Sequence, residues 1–269
     1  MLTTDITTKK VVSLSMMTNK IYFLLALFVH MSIVNAQQSI DTLVYHSAQQ
    51  KTVFILTATA GYYHKEAIPA GKQLLQKLAE KNTFNLMHSS QSKALEAMDL
   101  SQTAAVVFLC TTLDILDKKQ EEVFQGFIRN GGGFVGIHAA ADTEYDWPWY
   151  GQLVGAYFES HPPGTPLARL TTIDPQNPFT NHLPQSWEIY DEWYNYNFQN
   201  PNIISLLNLE ESSYAGGKNG PKHPISWYHS FDGGRSFYTG LGHKAEVYED
   251  PRFVQFLEKG LAYAMGVSF

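Results

Sequence analysis

An alternation of short, unbroken apolar runs with segments of helical periodicity constrains this chain more than any other feature. Thr52-Val-Phe-Ile-Leu-Thr57 and Ala104-Ala-Val-Val-Phe-Leu109 are apolar on consecutive positions, the pattern of strands buried on both faces. Between them, Glu66 to Lys81 sets Ile68, Leu74, Leu75 and Leu78 at helical spacing, and Phe84-Asn-Leu-Met87 reads as a weaker strand. Asp117 suits the N-cap of a helix to Arg129, with Val123, Phe124, Phe127 and Ile128 on one side. Gly131-Gly-Gly133 ends that helix, and Phe134-Val-Gly-Ile137 follows as the next strand. Strands separated by helices of this length predict βαβ units, hence a parallel sheet with helices on both faces.

Beyond about residue 165 the pattern changes. Leu167–Ile173, Trp187–Tyr196 and Ile203–Leu209 read as strands without helices between them. Pro224–Phe231 and Arg235–Leu241 form a predicted hairpin about Asp232-Gly233-Gly234, and Pro251–Met265 has the spacing of a closing helix. No repeat or linker interrupts this part, so residues 50–266 are expected to form one domain with a β-rich C-terminal elaboration that closes over the sheet's carboxyl edge.

The N-terminus reads as a secretion leader over residues 1–36. Lys20 supplies the positive charge, Ile21–Val34 the apolar core and Val34-Asn35-Ala36 the cleavage site before Gln37. Met16 and Met17 stand directly before it, so residues 1–16 are expected to lie upstream of the true start. The apolar run is shorter than the roughly 20 residues of a membrane span. The expectation is a periplasmic or secreted protein with no membrane attachment after cleavage. Cys110, the one cysteine, excludes an intramolecular disulfide. The net charge is −6 and no basic stripe is present, which excludes a nucleic-acid partner.

In open parallel sheets, ligands bind where the carboxyl ends of strands converge. His64 follows the first strand, His138 the strand after the triple glycine, and His243 the last hairpin strand; His161 arrives in Ser160-His161-Pro162. His138 stands at a sharp strand-to-turn elbow where other folds present a nucleophile, but imidazole there suits acid/base work or metal ligation. Asp191-Glu192 offers adjacent carboxylates, which strand alternation would send to opposite faces; Glu192 is the expected contributor. At least three of the four histidines are expected to converge within about 8 Å, either as a His/carboxylate site for a divalent metal such as zinc or as a coupled acid/base group. The competing expectation is separate, locally bonded histidines. Gly131-Gly-Gly-Phe-Val-Gly136 precedes its strand rather than following one, which excludes a dinucleotide fingerprint.

Thr57-Ala-Thr-Ala-Gly-Tyr-Tyr-His64, Gly133-Phe-Val-Gly-Ile-His138-Ala-Ala-Ala-Asp142, Tyr145-Asp-Trp-Pro-Trp-Tyr150, Ser160-His-Pro162, Asp191-Glu-Trp-Tyr194, His223-Pro-Ile-Ser-Trp227 and Gly240-Leu-Gly-His243 together resemble the ThuA-like (trehalose-utilisation) family. The resemblance implies a flavodoxin-like, class I glutamine-amidotransferase-like three-layer α/β fold with a mainly parallel central sheet. It also implies a link to disaccharide or keto-sugar use. His138 occupies the elbow where the amidotransferase cysteine would stand, so glutamine hydrolysis is not expected. The expected enzyme is a sugar isomerase, lyase or hydrolase acting on a small-molecule carbohydrate. His138, His243 and Glu192 would do the chemistry, and His64, Asp142, Trp147, Trp149, Tyr150, Trp193 and His223 would bind the sugar. A possible metal would sit among His64, His138, His161 and His243. The alternative is a non-catalytic sugar-binding module.

Overall fold

A computed structural model describes residues 50–267, and the leader expected over residues 1–36 lies outside the described residues. Nine strands make one mixed sheet in the order β2-β1-β3-β4-β11-β10-β9-β6-β7. Its first five members, β1 (Thr52–Leu56), β2 (Asn85–Ser89), β3 (Thr103–Leu109), β4 (Gly133–Ile137) and β11 (Gly234–Thr239), pair in parallel. The other four, β10 (Pro224–Phe231), β9 (Ile204–Glu210), β6 (Leu167–Thr172) and β7 (Ser186–Tyr190), continue it with antiparallel pairing. A separate pair joins β5 (Ala156–Ser160) to β8 (Asn195–Phe198).

The inner strands β1, β3 and β4 are buried along almost their whole length, which is why their sequences are apolar on consecutive residues, whereas the edge strand β2 is mostly exposed. One face takes α1 (Ala67–Asn82) and α4 (Pro251–Met265), tied to each other where Lys81 and Asn82 donate to Glu258 at 2.8 and 2.7 Å. The other takes α2 (Lys118–Arg129) and α3 (Pro148–Val154), where Phe124 packs on Phe108, Phe134 and Trp149. The result is the expected three-layer, flavodoxin-like α/β arrangement. Asp117 caps α2 in a reciprocal box with Gln120, and Gly131 follows its end at φ 90°.

Two expectations need correction. The C-terminal strands do not fold over the carboxyl edge; they prolong the sheet sideways. Trp187–Tyr196 is not one strand: β7 stops at Tyr190, Asp191–Tyr194 is irregular, and β8 belongs to the other pair. The break has a physical cause, because the Asp191 carboxylate accepts three backbone N–H groups of the loop after β11 instead of leaving its segment in a ladder.

Candidate metal centre at the strand ends

The loops after β1, β4 and β11 meet over the carboxyl edge. His138 leaves β4 at φ 52°, a left-handed conformation that costs a β-carbon residue about 1–3 kcal/mol and is typical of functional elbows. The elbow is held from below: the Tyr238 hydroxyl donates to the His138 carbonyl at 2.8 Å and the Tyr150 hydroxyl to that of Ala140 at 2.6 Å. The loop carrying His243 turns at Gly242, φ 116°, where a β-carbon would stand 2.7 Å from the Tyr248 hydroxyl. Asp191 fastens this loop by accepting from the backbone N–H of Gly242, His243 and Lys244 at 2.6, 3.1 and 3.1 Å.

The three imidazoles lie edge to face, with ring centres 5.0 Å apart for His64–His138, 5.2 Å for His64–His243 and 5.2 Å for His138–His243. Glu192 completes the group, and one ligating atom from each of the four residues lies within 4.8 Å of every other. His138 donates through Nδ1 to the Gly240 carbonyl at 2.9 Å, which leaves Nε2 as a bare lone pair. That atom stands 3.3 Å from Glu192 Oε2 and 3.2 Å from His243 Nδ1; the last two are 3.2 Å apart. Two lone-pair atoms and a third nitrogen thus share one point, and a single proton on His243 cannot satisfy them well. A cation can. His64 adds a buried Nδ1 with no hydrogen-bond partner.

The electrostatics agree. Burial, then repulsion from His138 and His243, drives the His64 pKa down to about 3, so this ring is neutral with its lone pair available near pH 7. Burial opposes charge on His243, but the hydrogen bond and charge of Glu192 outweigh it and raise the pKa. Burial likewise opposes the Glu192 carboxylate, yet the facing His138 and His243 nitrogens, when they carry a proton, hold it well below the usual range. Three imidazoles and one ionised carboxylate form a donor set suited to zinc and to other first-row divalent ions.

The remaining expected site residues separate into three groups. His161 is not in the ligand group: its Nδ1 donates to the Pro162 carbonyl at 2.8 Å and faces the other oxygen of Glu192 at 3.3 Å. Asp142 lies beside it, accepting from the Tyr145 hydroxyl at 2.5 Å. The aromatic wall expected from Trp147, Trp149, Tyr150 and Trp193 is absent. Tyr150 and Trp193 are fully buried, the latter donating to the Pro166 carbonyl. Trp149 donates to Asp232 in the turn opening β11, at the opposite edge, and Trp147 stacks on it at 4.8 Å. Packing a wide apolar core takes precedence over ligand stacking at these positions. His223 is a buried brace between Glu211 and the Tyr194 carbonyl, 2.9 and 2.8 Å away.

The open side of the centre is a cleft of about 270 Å³ lined by Tyr62, His64, Lys65, Glu66, Thr165, His243 and Lys244. Its aromatic member, Tyr62, belongs to the pair Tyr62-Tyr63 that precedes His64 in the loop after β1. Both tyrosines are exposed, and Tyr62 lies parallel to the His243 ring with centres 6.5 Å apart. Cys110, beneath the cluster, is fully buried and its thiol is pushed up to about 12 by that burial, so it supplies no nucleophile.

Comparison with known proteins bears on the fold and the family. A ThuA-like protein of Bacteroides uniformis superposes with a TM-score of 0.69 at 22% identity, over 81% of this chain and 92% of that one. One from Parabacteroides merdae gives 0.65 at 18% identity, over 81% and 91%. A beta-galactosidase of Bacillus circulans sp. alkalophilus gives 0.53 at 15% identity, over 82% of this chain but 32% of the enzyme, a likeness of fold alone. No curated protein matches the sequence. The model of the family described as "ThuA: Trehalose utilisation" matches residues 52–264, nearly all of the described domain, and the chain belongs to that family.

Proposed function

We propose that this chain is an exported, metal-assisted enzyme of sugar utilisation, whose reaction takes place where His64, His138, His243 and Glu192 converge. The observation that carries the reading is that convergence: four ligating atoms within 4.8 Å, with the His64 Nδ1 buried and unpartnered. A divalent ion held there would polarise a sugar carbonyl or hydroxyl, or sharpen a bound water as a nucleophile. The chain's own part is to hold and orient. His138 is fixed in one tautomer by Gly240, the His243 loop is fixed by Asp191, and Glu192 carries the negative charge that favours the ion. His138 is fully buried, while His243 lines the open cleft. The family's description, trehalose utilisation, supports a sugar substrate, and the leader-like N-terminal sequence supports export.

The test is metal content of the untagged, purified chain by mass spectrometry, followed by a turnover screen of glycosides and keto-sugars with and without chelator. About one equivalent of a first-row divalent ion and chelator-sensitive turnover are expected. Turnover unchanged by complete metal removal would overturn metal assistance. Sugar binding without turnover, equally tight in His138→Ala, would point to a binding module.

A further inference from the structure

The cleft beside the proposed metal position is unevenly charged. Lys65 and Lys244 stand on its wall against one carboxylate, Glu66. Lys65 is exposed, and the nearest acid to the Lys244 ammonium is the solvent-exposed Glu246, 3.8 Å away, a separation at which surface pairs contribute little. The same wall ends in the start of α1, a helix of 16 residues whose N-cap residue is Glu66, the one carboxylate of the wall, which makes no side-chain cap bond; the first turn holds no further acidic residue. Such a terminus carries partial positive charge and attracts anions. His64, 4% exposed, also lines the cleft and joins its wall to the proposed metal position.

Deepening the function proposed above, we infer that the substrate is a sugar acid: its carboxylate lies between Lys65 and Lys244 near the head of α1, while a neighbouring hydroxyl or carbonyl reaches the metal position. The volume supports one sugar ring, since about 270 Å³ falls below the range of pockets for larger ligands. Tyr62, 63% exposed, offers that ring a flat apolar face at the mouth. Glu66 accepts from ring hydroxyls on the same wall, and Thr165 faces them from the loop before β6. A hydroxyl or carbonyl next to a carboxylate gives a metal two oxygens at chelating distance, whereas a neutral pyranose offers weaker donors.

The inference is tested by calorimetric titration of the full chain loaded with one equivalent of zinc. The probes are uronates and aldonates, their neutral parent sugars, and the matching sugar phosphates. At least one acid should bind ten times tighter than its neutral parent. That preference should fall when salt is raised from about 20 to about 500 mM, as screening weakens the charged contact. It should vanish in the Lys65→Met/Lys244→Met variant while zinc content stays at the parent level, because the substitutions spare the Lys244 backbone N–H that bonds Asp191. A neutral parent binding as tightly as its acid, a preference that survives the double variant, or a phosphate binding tighter than every acid overturns the sugar-acid inference and leaves the metal-assisted reading standing. No binding of any probe to zinc-loaded protein overturns it too, and failure to retain zinc identifies a failure of the metal centre itself. If the lysines instead serve only a developing anion, the double variant will lower kcat on a neutral sugar without altering its Kd, and the inference falls.

Discussion

The two halves of the sheet contribute to the centre in different ways. The parallel half delivers His64, His138 and His243 at the ends of buried strands, so their meeting follows from topology: parallel neighbours end on one edge. The antiparallel half delivers Glu192 on the irregular stretch Asp191–Tyr194 between β7 and β8, where no ladder fixes the chain. Side-chain bonds do so instead. Asp191 clamps the His243 loop, and His223 holds the Tyr194 carbonyl on the other flank. His64 and His138 are thus placed by the parallel half alone, Glu192 by the buried polar lock, and His243 by both. The comparison predicts that the lock is the weaker element and the one through which the site is most easily lost.

The largest expected effect comes from Glu192→Gln. It removes the one anionic donor and leaves three imidazoles with a neutral amide, so metal affinity should fall by more than about a hundredfold, beyond the loss typical for supporting residues. Competition against a chromogenic chelator reads this directly. Undiminished affinity would mean that the antiparallel half takes no part in ligation. Asp191→Asn should have a smaller effect, because the amide oxygen still accepts one or two of the three N–H groups. The expected cost is about 1–3 kcal/mol of stability for the donors left unsatisfied, with a 10- to 100-fold loss of metal affinity through the misplaced His243 loop. A variant that loses stability but keeps full affinity would show that the His243 loop is preorganised without the clamp.

The same contrast explains what the sequence disclosed. The parallel half was legible because strands buried on both faces must be apolar at every position, and because Asp117 and Gly131 mark helix ends by local chemistry. The convergence of His64, His138 and His243 followed from their common position after strands. Strand alternation separates Asp191 from Glu192 without favouring either, and the segment is not a strand; the two carboxylates part because Asp191 turns to backbone N–H groups while Glu192 turns to imidazoles. That choice depends on the partners the fold supplies, and spacing does not record it. The aromatics misled for a related reason. Trp193 and Tyr150 are as suited to a sugar face as to a core, and each is drawn inward by a carbonyl partner at Pro166 or Ala140. The exposed Tyr62 carried no periodic signal.

The smallest expected effect concerns Glu144, which belongs to the parallel half and touches none of the proposed ligands. Its carboxylate accepts from the backbone N–H of Ile115 and Leu116 at 2.7 and 2.8 Å and so holds the loop after β3. Burial nevertheless pushes its pKa from 4.5 up to about 7, against the pull of those two bonds and with the charges of Asp114 and Glu121 adding to the rise. The native carboxyl therefore keeps a proton between pH 4.5 and about 7 that the unfolded chain has lost. Stability falls as pH rises through that window and levels off above it, with a slope no steeper than about 1.4 kcal/mol per pH unit. His64 acts in the opposite sense: its depressed pKa makes stability rise with pH between about 3 and 6.5, so the two contributions oppose each other where the windows overlap. Glu144→Gln isolates the first. Denaturant unfolding of chelator-treated protein at several pH values should show the stability advantage of the parent over the variant shrinking up to about pH 7 and then holding constant. A difference that does not vary with pH would mean that the two backbone donors outweigh burial and keep the carboxylate ionised. Because the Glu144 carboxylate itself bonds to the loop after β3, the same slope must appear in the Glu192→Gln background. If it changes there, the lock and the scaffold are coupled, and the division of labour between the two halves of the sheet does not hold.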